Sequence, residues 1–447
     1  MQTLLMPTAD TEQVSILRWF SRLTAAVAVA LVAVTWRLWI PQSRFPQVPL
    51  FAAAGRLPYW VEWAAGGTMV AGLCMAIAFA ATSRGRRISL LWFVIATAVL
   101  LVIDQHRLQT WVWQFLLIAW VLSTTDERRA VGLLQWLVVS IYVYSALSKL
   151  DASFINGEGQ QILSGLLRSV GLTSDEWSES ARRLVTAGMP AGELAVAVGL
   201  CLRRTRRWAL VAAVAMHTAL FLALGPWGLR HKPGVLIWNV FFVLQDLMLF
   251  ARRSVMPIAE FWSLPVRRLL FGHRRTGPSS PRSESPASGR LHRWRTHAAE
   301  IVVVAAMLLP LLEPFGWFDQ WPSWGLYASA PPRLAVFVRC SEVGDLPSAI
   351  VRHVEAPPPL HSWCRLRIDR WSLDAVGAPL YPQNRFRVGV ALAVAERYHL
   401  VSAIRVIVES SANRWTGRRT VRIFEGEADL REFADQFLLN ARPCPLP

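Results

Sequence analysis

The chain has 447 residues, 53% of them hydrophobic and only 17% charged, with a formal charge of +17. That much apolar side chain excludes an ordinary soluble protein. Most of the arginine clusters flank apolar runs, where they orient helices and meet anionic headgroups, so the charge does not read as a nucleic-acid surface.

A helix needs about 20 apolar residues to cross a bilayer. Runs of this kind at 22–40, 60–82, 88–104, 109–125, 131–149, 184–202, 208–225, 233–251 and 299–318 predict about nine transmembrane helices. The first follows polar or mixed residues and lacks a small-residue cleavage site, so it reads as a retained helix. Arg84, Arg86 and Arg87, then Arg128 and Arg129, then Arg203, Arg204, Arg206 and Arg207 fall on one side of the alternation. Positive charge collects inside, which predicts an inner (plasma) membrane protein with a cytoplasmic N-terminus and an extracytoplasmic C-terminal region. Trp60, Trp63, Trp111, Trp113, Trp227, Trp317, Trp321 and Trp324 sit near the predicted edges, as an aromatic belt would.

The expected organisation is a helix bundle over 1–251, a basic cytoplasmic linker over 252–298, the last helix at 299–318 and a small extracytoplasmic α+β domain over 319–447. Within the linker, 257–272 reads as an amphipathic surface helix and 276–290 as a Pro- and Ser-rich disordered stretch. Residues 150–183 are too polar to cross, and Phe154, Ile162, Leu163, Leu166 and Leu167 predict a short helix resting on the outer surface. In the tail, strands are expected at 333–339, 363–371, 403–409 and 419–424, with helices at 385–398 and 427–440. An oxidising compartment would allow one disulfide among Cys340, Cys364 and Cys444. The tail carries no metal-ligand spacing, and His353, His361 and His399 read as solvated or packed.

Two of the 47 basic residues are lysine, and one of them, Lys149, closes the fifth apolar run. Lysine can lose its proton when desolvated, whereas arginine effectively cannot. Glu193 and His217 lie near the middles of two later runs, and an ionisable side chain in lipid is costly unless it is paired or solvated. Lys149, Glu193 and His217 are therefore the candidate catalytic set, a proton-handling group in which Glu193 would hold one tautomer of His217. Tyr142, Ser145 and Lys149 share a helical face and, with Asn239, would line a polar pocket; Tyr142, Ser145 and Asn239 are the candidate cofactor contacts. Gln245 and Asp246 add polarity toward the inner end of the same run as Asn239. The alternatives are an interfacial anchor for Lys149 and a purely structural network for the set. Asp104, His106 and Arg107, and likewise Glu313 and Asp319, read as interfacial.

The run Tyr144-Ser145-Ala146-Leu147-Ser148-Lys149-Leu150-Asp151, followed by Glu193 in the next span, resembles the core pattern of the MauE/DoxX membrane proteins. His217-Thr218-Ala219-Leu220-Phe221, Leu224-Gly225-Pro226-Trp227-Gly228 and Trp238-Asn239 extend the resemblance, which covers roughly 60–250. It implies a helical bundle serving redox maturation of exported partners or quinone-linked electron transfer, with a quinone as cofactor and an extracytoplasmic redox protein as partner. Lys149-Leu150-Asp151-Ala152 is also similar to the vitamin K-dependent gamma-carboxylase-like family, which implies a base role for Lys149. Phe154 stands where that pattern has tryptophan, and 319–447 does not resemble the large lumenal domain of the animal enzymes. A third expectation is a non-catalytic membrane assembly protein.

Overall fold

The computed structural model describes residues 9–251, 255 and 286–444. The surface helix expected at 257–272 and the linker expected from 276 lie outside these residues, except that the chain is helical from Pro286 onward. The helices are α1 (Ala9–Val34), α2 (Tyr59–Ala78), α3 (Ser83–Ile103), α4 (Thr110–Thr124), α5 (Glu127–Leu147), α6 (Ala152–Asn156), α7 (Glu158–Ser169), α8 (Glu179–Cys201), α9 (Arg206–Leu224), α10 (Pro233–Phe250) and α11 (Pro286–Leu308). Among the described residues eight helices are long and apolar enough to cross a membrane.

The fourth expected span, α4, has only 15 residues, about 22 Å of helix. Every side chain on it except Trp113 and Trp120 is buried. It is packed among α1, α3, α5 and α11, which places it inside the bundle. The tryptophans divide in the same way. Trp60, Trp63, Trp227 and Trp317 are exposed, as a belt requires, while Trp111, Trp321 and Trp324 are buried in packing.

Local signals account for the helix ends around the later spans. Asp126 caps α5 by accepting from Arg129 N, and Ser178 caps α8 by accepting from Ala181 N. Between α5 and α8 the expected surface helix is present as two pieces, α6 and α7, with Phe154, Ile162, Leu163 and Leu167 buried. Asp151 does not pair with Lys149; its Oδ1 accepts from Phe154 N at 2.9 Å and caps α6.

The C-terminal domain is an antiparallel five-stranded sheet in the order β2-β3-β1-β4-β5. Its strands are β1 (Arg333–Arg339), β2 (Val354–Glu355), β3 (Trp363–Leu366), β4 (Ile404–Glu409) and β5 (Val421–Glu425). In β1 and β4, which pair Val336 with Val406, alternate side chains are buried, the period of a one-faced sheet. The strand expected at 363–371 stops at Leu366, and Ile368–Ala375 is a helix, α12. Its Ile368, Trp371, Ser372 and Ala375 are buried at helical spacing, a period-3.6 pattern hidden by the β-like run before it. The helix expected at 385–398 is α13 (Asn384–Arg397), and that expected at 427–440 ends at Ala434 as α14 (Gly426–Ala434). Cys340 and Cys364 form a disulfide that ties the end of β1 to β3, and Cys444 is free.

The polar turn after α3 is not interfacial. Asp104, Gln105, His106 and Arg107 are essentially inaccessible: the C-terminal domain packs on Gln105 and His106, and residues 38–62 pack on Asp104 and Arg107. Arg107 pairs with Glu62 and donates through Nε to Leu38 O at 2.8 Å. Gln105 donates to Asn440 O at 2.7 Å and accepts from Arg385 Nε at 2.6 Å. His106 Nε2 lies 3.1 Å from Pro379 O, and Asp319 pairs with Arg385 and accepts from Tyr381. Burial raises the Asp104 carboxyl to about 7 against the pull of Arg107, and it lowers His106 to about 4.

Candidate functional site

Tyr142, Ser145 and Lys149 recur at spacings of three and four along α5 and its C-terminal turn, so they present one face. That face forms a wall of a cavity of about 180 Å³, and Glu193 from α8, His217 from α9 and Asn239 from α10 reach the same cavity. All six sequence-predicted site residues therefore meet in one place. Apolar residues make most of the remaining lining, including Ile141, Met189, Met216, Leu220 and Phe242. On the side of the C-terminal domain the cavity is closed by Phe154 of α6, Ile162 and Leu166 of α7, and Trp324, Leu326 and Tyr327 of the segment joining α11 to β1.

The polar groups fall into two separate sets. In the first, Lys149 Nζ lies 2.6 Å from Ser145 Oγ and 2.7 and 3.0 Å from the two carboxylate oxygens of Glu193. These three acceptors match the three donors of an ammonium group. Both side chains are about nine-tenths buried, so the pair belongs to the bundle interior rather than to a snorkelling anchor. Glu193 sits three residues after Pro190, which breaks the regular hydrogen bonding of α8.

The second set corrects the expected partner of His217. Glu193 is engaged by Lys149, and His217 is held instead by Asn239, whose Oδ1 is 2.9 Å from Nδ1, and by Tyr142, whose hydroxyl is 2.9 Å from Nε2. Asn239 Nδ2 donates to Val235 O at 2.8 Å, which leaves Oδ1 to face the imidazole and places a proton on Nδ1. The ring of His217 stacks on Phe242 with centroids 4.7 Å apart and planes 10° apart. The Tyr142 hydroxyl also lies 2.5 Å from Asp246 Oδ2, within a hydrogen bond.

Asp246, noted in the sequence only as polarity on the run of Asn239, belongs to this set, and the closing residues Trp324 and Tyr327 are members that the sequence did not assign to the site. Asp246 follows Asn239 by two helical turns and so shares its face, a signal present in the spacing. Trp324 and Tyr327 gave no such signal, since their position depends on a long connection folding back over the bundle. Next to this set, Trp238 Nε1 donates to Gln114 Oε1 at 2.7 Å, and Gln114 donates to Gln245 at 3.0 Å.

The cavity can hold a ligand that is mostly apolar, and an oxygen on it would bond to Lys149 or Tyr142 by displacing one of the protein partners that hold them. Among the described residues, no three His, Cys, Asp or Glu side chains gather to hold a metal ion.

Comparison with known proteins agrees with this part of the bundle. No curated protein and no solved structure matches the chain. Residues 127–235 match the family model described as methylamine utilisation protein MauE. This stretch runs from α5 to the start of α10 and contains Tyr142, Ser145, Lys149, Glu193 and His217. It is narrower than the resemblance read over 60–250. The chain is thus a multi-pass membrane protein whose segment 127–235 is similar to the MauE family.

Proposed function

We propose that the cavity binds the headgroup of a quinone, and that the protein uses it in redox maturation or quinone-linked electron transfer on the extracytoplasmic side of the inner membrane. The observation that carries this reading is the apolar cavity walled by Lys149 and Tyr142, which suits a flat ring bearing carbonyl oxygens. The arginine distribution supports an extracytoplasmic C-terminal domain, and the Cys340–Cys364 disulfide supports the same side, since such bonds persist in oxidising compartments. That domain is the surface on which an exported redox partner would dock.

The test is a titration of the detergent-purified protein with short-chain ubiquinone and menaquinone analogues, beside Lys149→Arg. Arginine keeps the charge but not the compact ammonium geometry against Glu193 and Ser145. Wild-type binding should weaken by about tenfold or more in the variant, roughly the contribution of one charge-assisted hydrogen bond. Equal binding by both proteins would remove Lys149 from the site. No binding by either would favour a non-catalytic assembly role.

A second reading, with Lys149 as a base on a reduced quinone, is favoured by the Glu193 carboxylate 2.7 Å from Nζ, which can take the ammonium proton. It requires turnover, not only binding, to vanish in Lys149→Arg.

A further inference from the structure

Asn239, His217, Tyr142 and Asp246 form three hydrogen bonds in series, and the Asn239 end of the series is an acceptor. At one end Asn239 Oδ1 accepts, because its amide nitrogen is committed to Val235 O. At the other end Asp246 Oδ2 accepts or carries a proton itself. Three hydrogen bonds need three protons. A neutral imidazole brings one, and a neutral phenol brings one. The third must come from elsewhere, either as Asp246 in its acid form or as the imidazolium of His217. The two forms carry the same net charge and differ only in where the protons sit along the chain. Asp246 is fully buried, with Tyr142 and the Gln245 side chain as the polar groups beside its carboxyl and no ion pair among the described residues, and a buried carboxyl that lacks a cation costs less as the neutral acid than as a carboxylate. This favours the form with the proton at Asp246.

We infer that Asp246, Tyr142 and His217 are a proton store and relay, in which Asp246 delivers its proton through the Tyr142 hydroxyl to His217 or to a basic oxygen of a ligand in the cavity. In the delivery step the phenol proton passes to the acceptor, and the Asp246 acid proton passes to the phenol oxygen. Tyr142 ends as it began, Asp246 ends as a carboxylate, and the acceptor has gained one proton. Tyr142 and His217 line the cavity, whereas Asp246 lies two helical turns further along α10, away from the C-terminal domain. The relay therefore spans depth in the bundle. The other charged groups facing the same cavity are Lys149 and Glu193, which are paired with each other. The proton count stands on the hydrogen bonds alone; only the identity of the acceptor rests on the quinone reading.

The experiment uses the full chain in lipid nanodiscs without added quinone, so its result is independent of that reading. Infrared spectra would look for a protonated carboxyl band, and nitrogen NMR of labelled histidine would report on His217, each compared with Asp246→Asn and Glu193→Gln. The expected result is a carboxyl band that persists in Glu193→Gln and vanishes in Asp246→Asn. An imidazolium signature for His217 without the band would equally support a stored third proton. A neutral His217 together with no band assignable to Asp246 would overturn the store.

The relay has its own readout, the rate at which the Asp246 band, or the His217 signal if that form holds the proton, shifts on transfer to heavy water. Tyr142→Phe removes the link while keeping the ring, and it should slow this exchange at least tenfold. Equal exchange in wild type and Tyr142→Phe would show that the proton leaves by another path and overturn the relay.

Discussion

His106 is held between the rings of Phe45 and Phe386, with Nε2 against Pro379 O, while two residues earlier Asp104 Oδ1 accepts from Val48 N and His106 N. Burial moves the two in opposite directions, His106 down to about 4 and Asp104 up to about 7. Between about 4 and 6.5 the unfolded chain binds the histidine proton and the folded chain does not, so this term makes stability rise with pH. From about 3.8 to 7 the folded chain keeps the aspartate proton and the unfolded chain loses it, so this term makes stability fall with pH. Over their shared window the two offset each other, each by at most about 3 to 4 kcal/mol. Asp104→Asn keeps the acceptor oxygen and removes the ionisation. Relative to wild type, its melting temperature in detergent should climb from pH 4 to pH 7, and that of His106→Gln should decline from pH 4 to pH 6.5. Slopes of the same sign for the two variants would show that the turn is not buried in this way. At this scale the sequence was legible where partners share a helix: Tyr142, Ser145 and Lys149 lie on one face by spacing alone. It was not legible for Asp104 or His106, because the group that covers His106 is 273 positions away and nothing local distinguishes a covered turn from an interfacial one.

Among the elements, α7 shapes the cavity because it has a glycine where it meets α9. A Cβ at Gly165 would come within 2.6 Å of Ala223 O and of Leu229 Cγ. Gly165→Ala should push α7 outward at a cost of about 1 to 3 kcal/mol and draw Ile162 and Leu166 off the cavity wall. A thermal melt would read the first effect, and weakened binding of the quinone analogues the second. Unchanged stability would mean that α7 is not seated on α9. The long amphipathic or apolar helices and the central strands were readable from periodicity, with ends displaced by a few residues. One element departs from its sequence reading for a physical reason: the apolar run at 363–371 fits either period, and only its first part joins the sheet, the rest forming α12. The burial of α4 was not legible, because hydropathy does not report whether a helix faces lipid or protein.

Across the whole molecule, bundle and sheet domain are joined by buried polar contacts as well as apolar ones. Arg385 is central to the joint: its guanidinium reaches Gln105 at 2.6 Å and pairs with Asp319, which also accepts from Tyr381. Arg385→Met fills similar space but leaves a carboxylate facing the junction without its cation, at a cost of about 3 to 5 kcal/mol. Limited proteolysis should then release the C-terminal domain from Arg385→Met under conditions that leave wild type intact; equal resistance would place the adhesion elsewhere. The division into an apolar bundle and an α+β tail was plain from composition, but the joint was not, since it is assembled from 45–50, 104–109, 319, 371–385 and 440–444.

The segment that carries Trp324, Leu326 and Tyr327 belongs to two structures at once, being cavity wall on one side and the lead-in to β1 on the other. Occupancy of the cavity and position of the sheet domain are therefore conjugate variables. Any ligand whose contact with these side chains differs between two domain positions biases the domain, and any partner that grips the domain alters the ligand's affinity by the same factor. A fluorophore on the sheet would then register events inside the bundle without touching it.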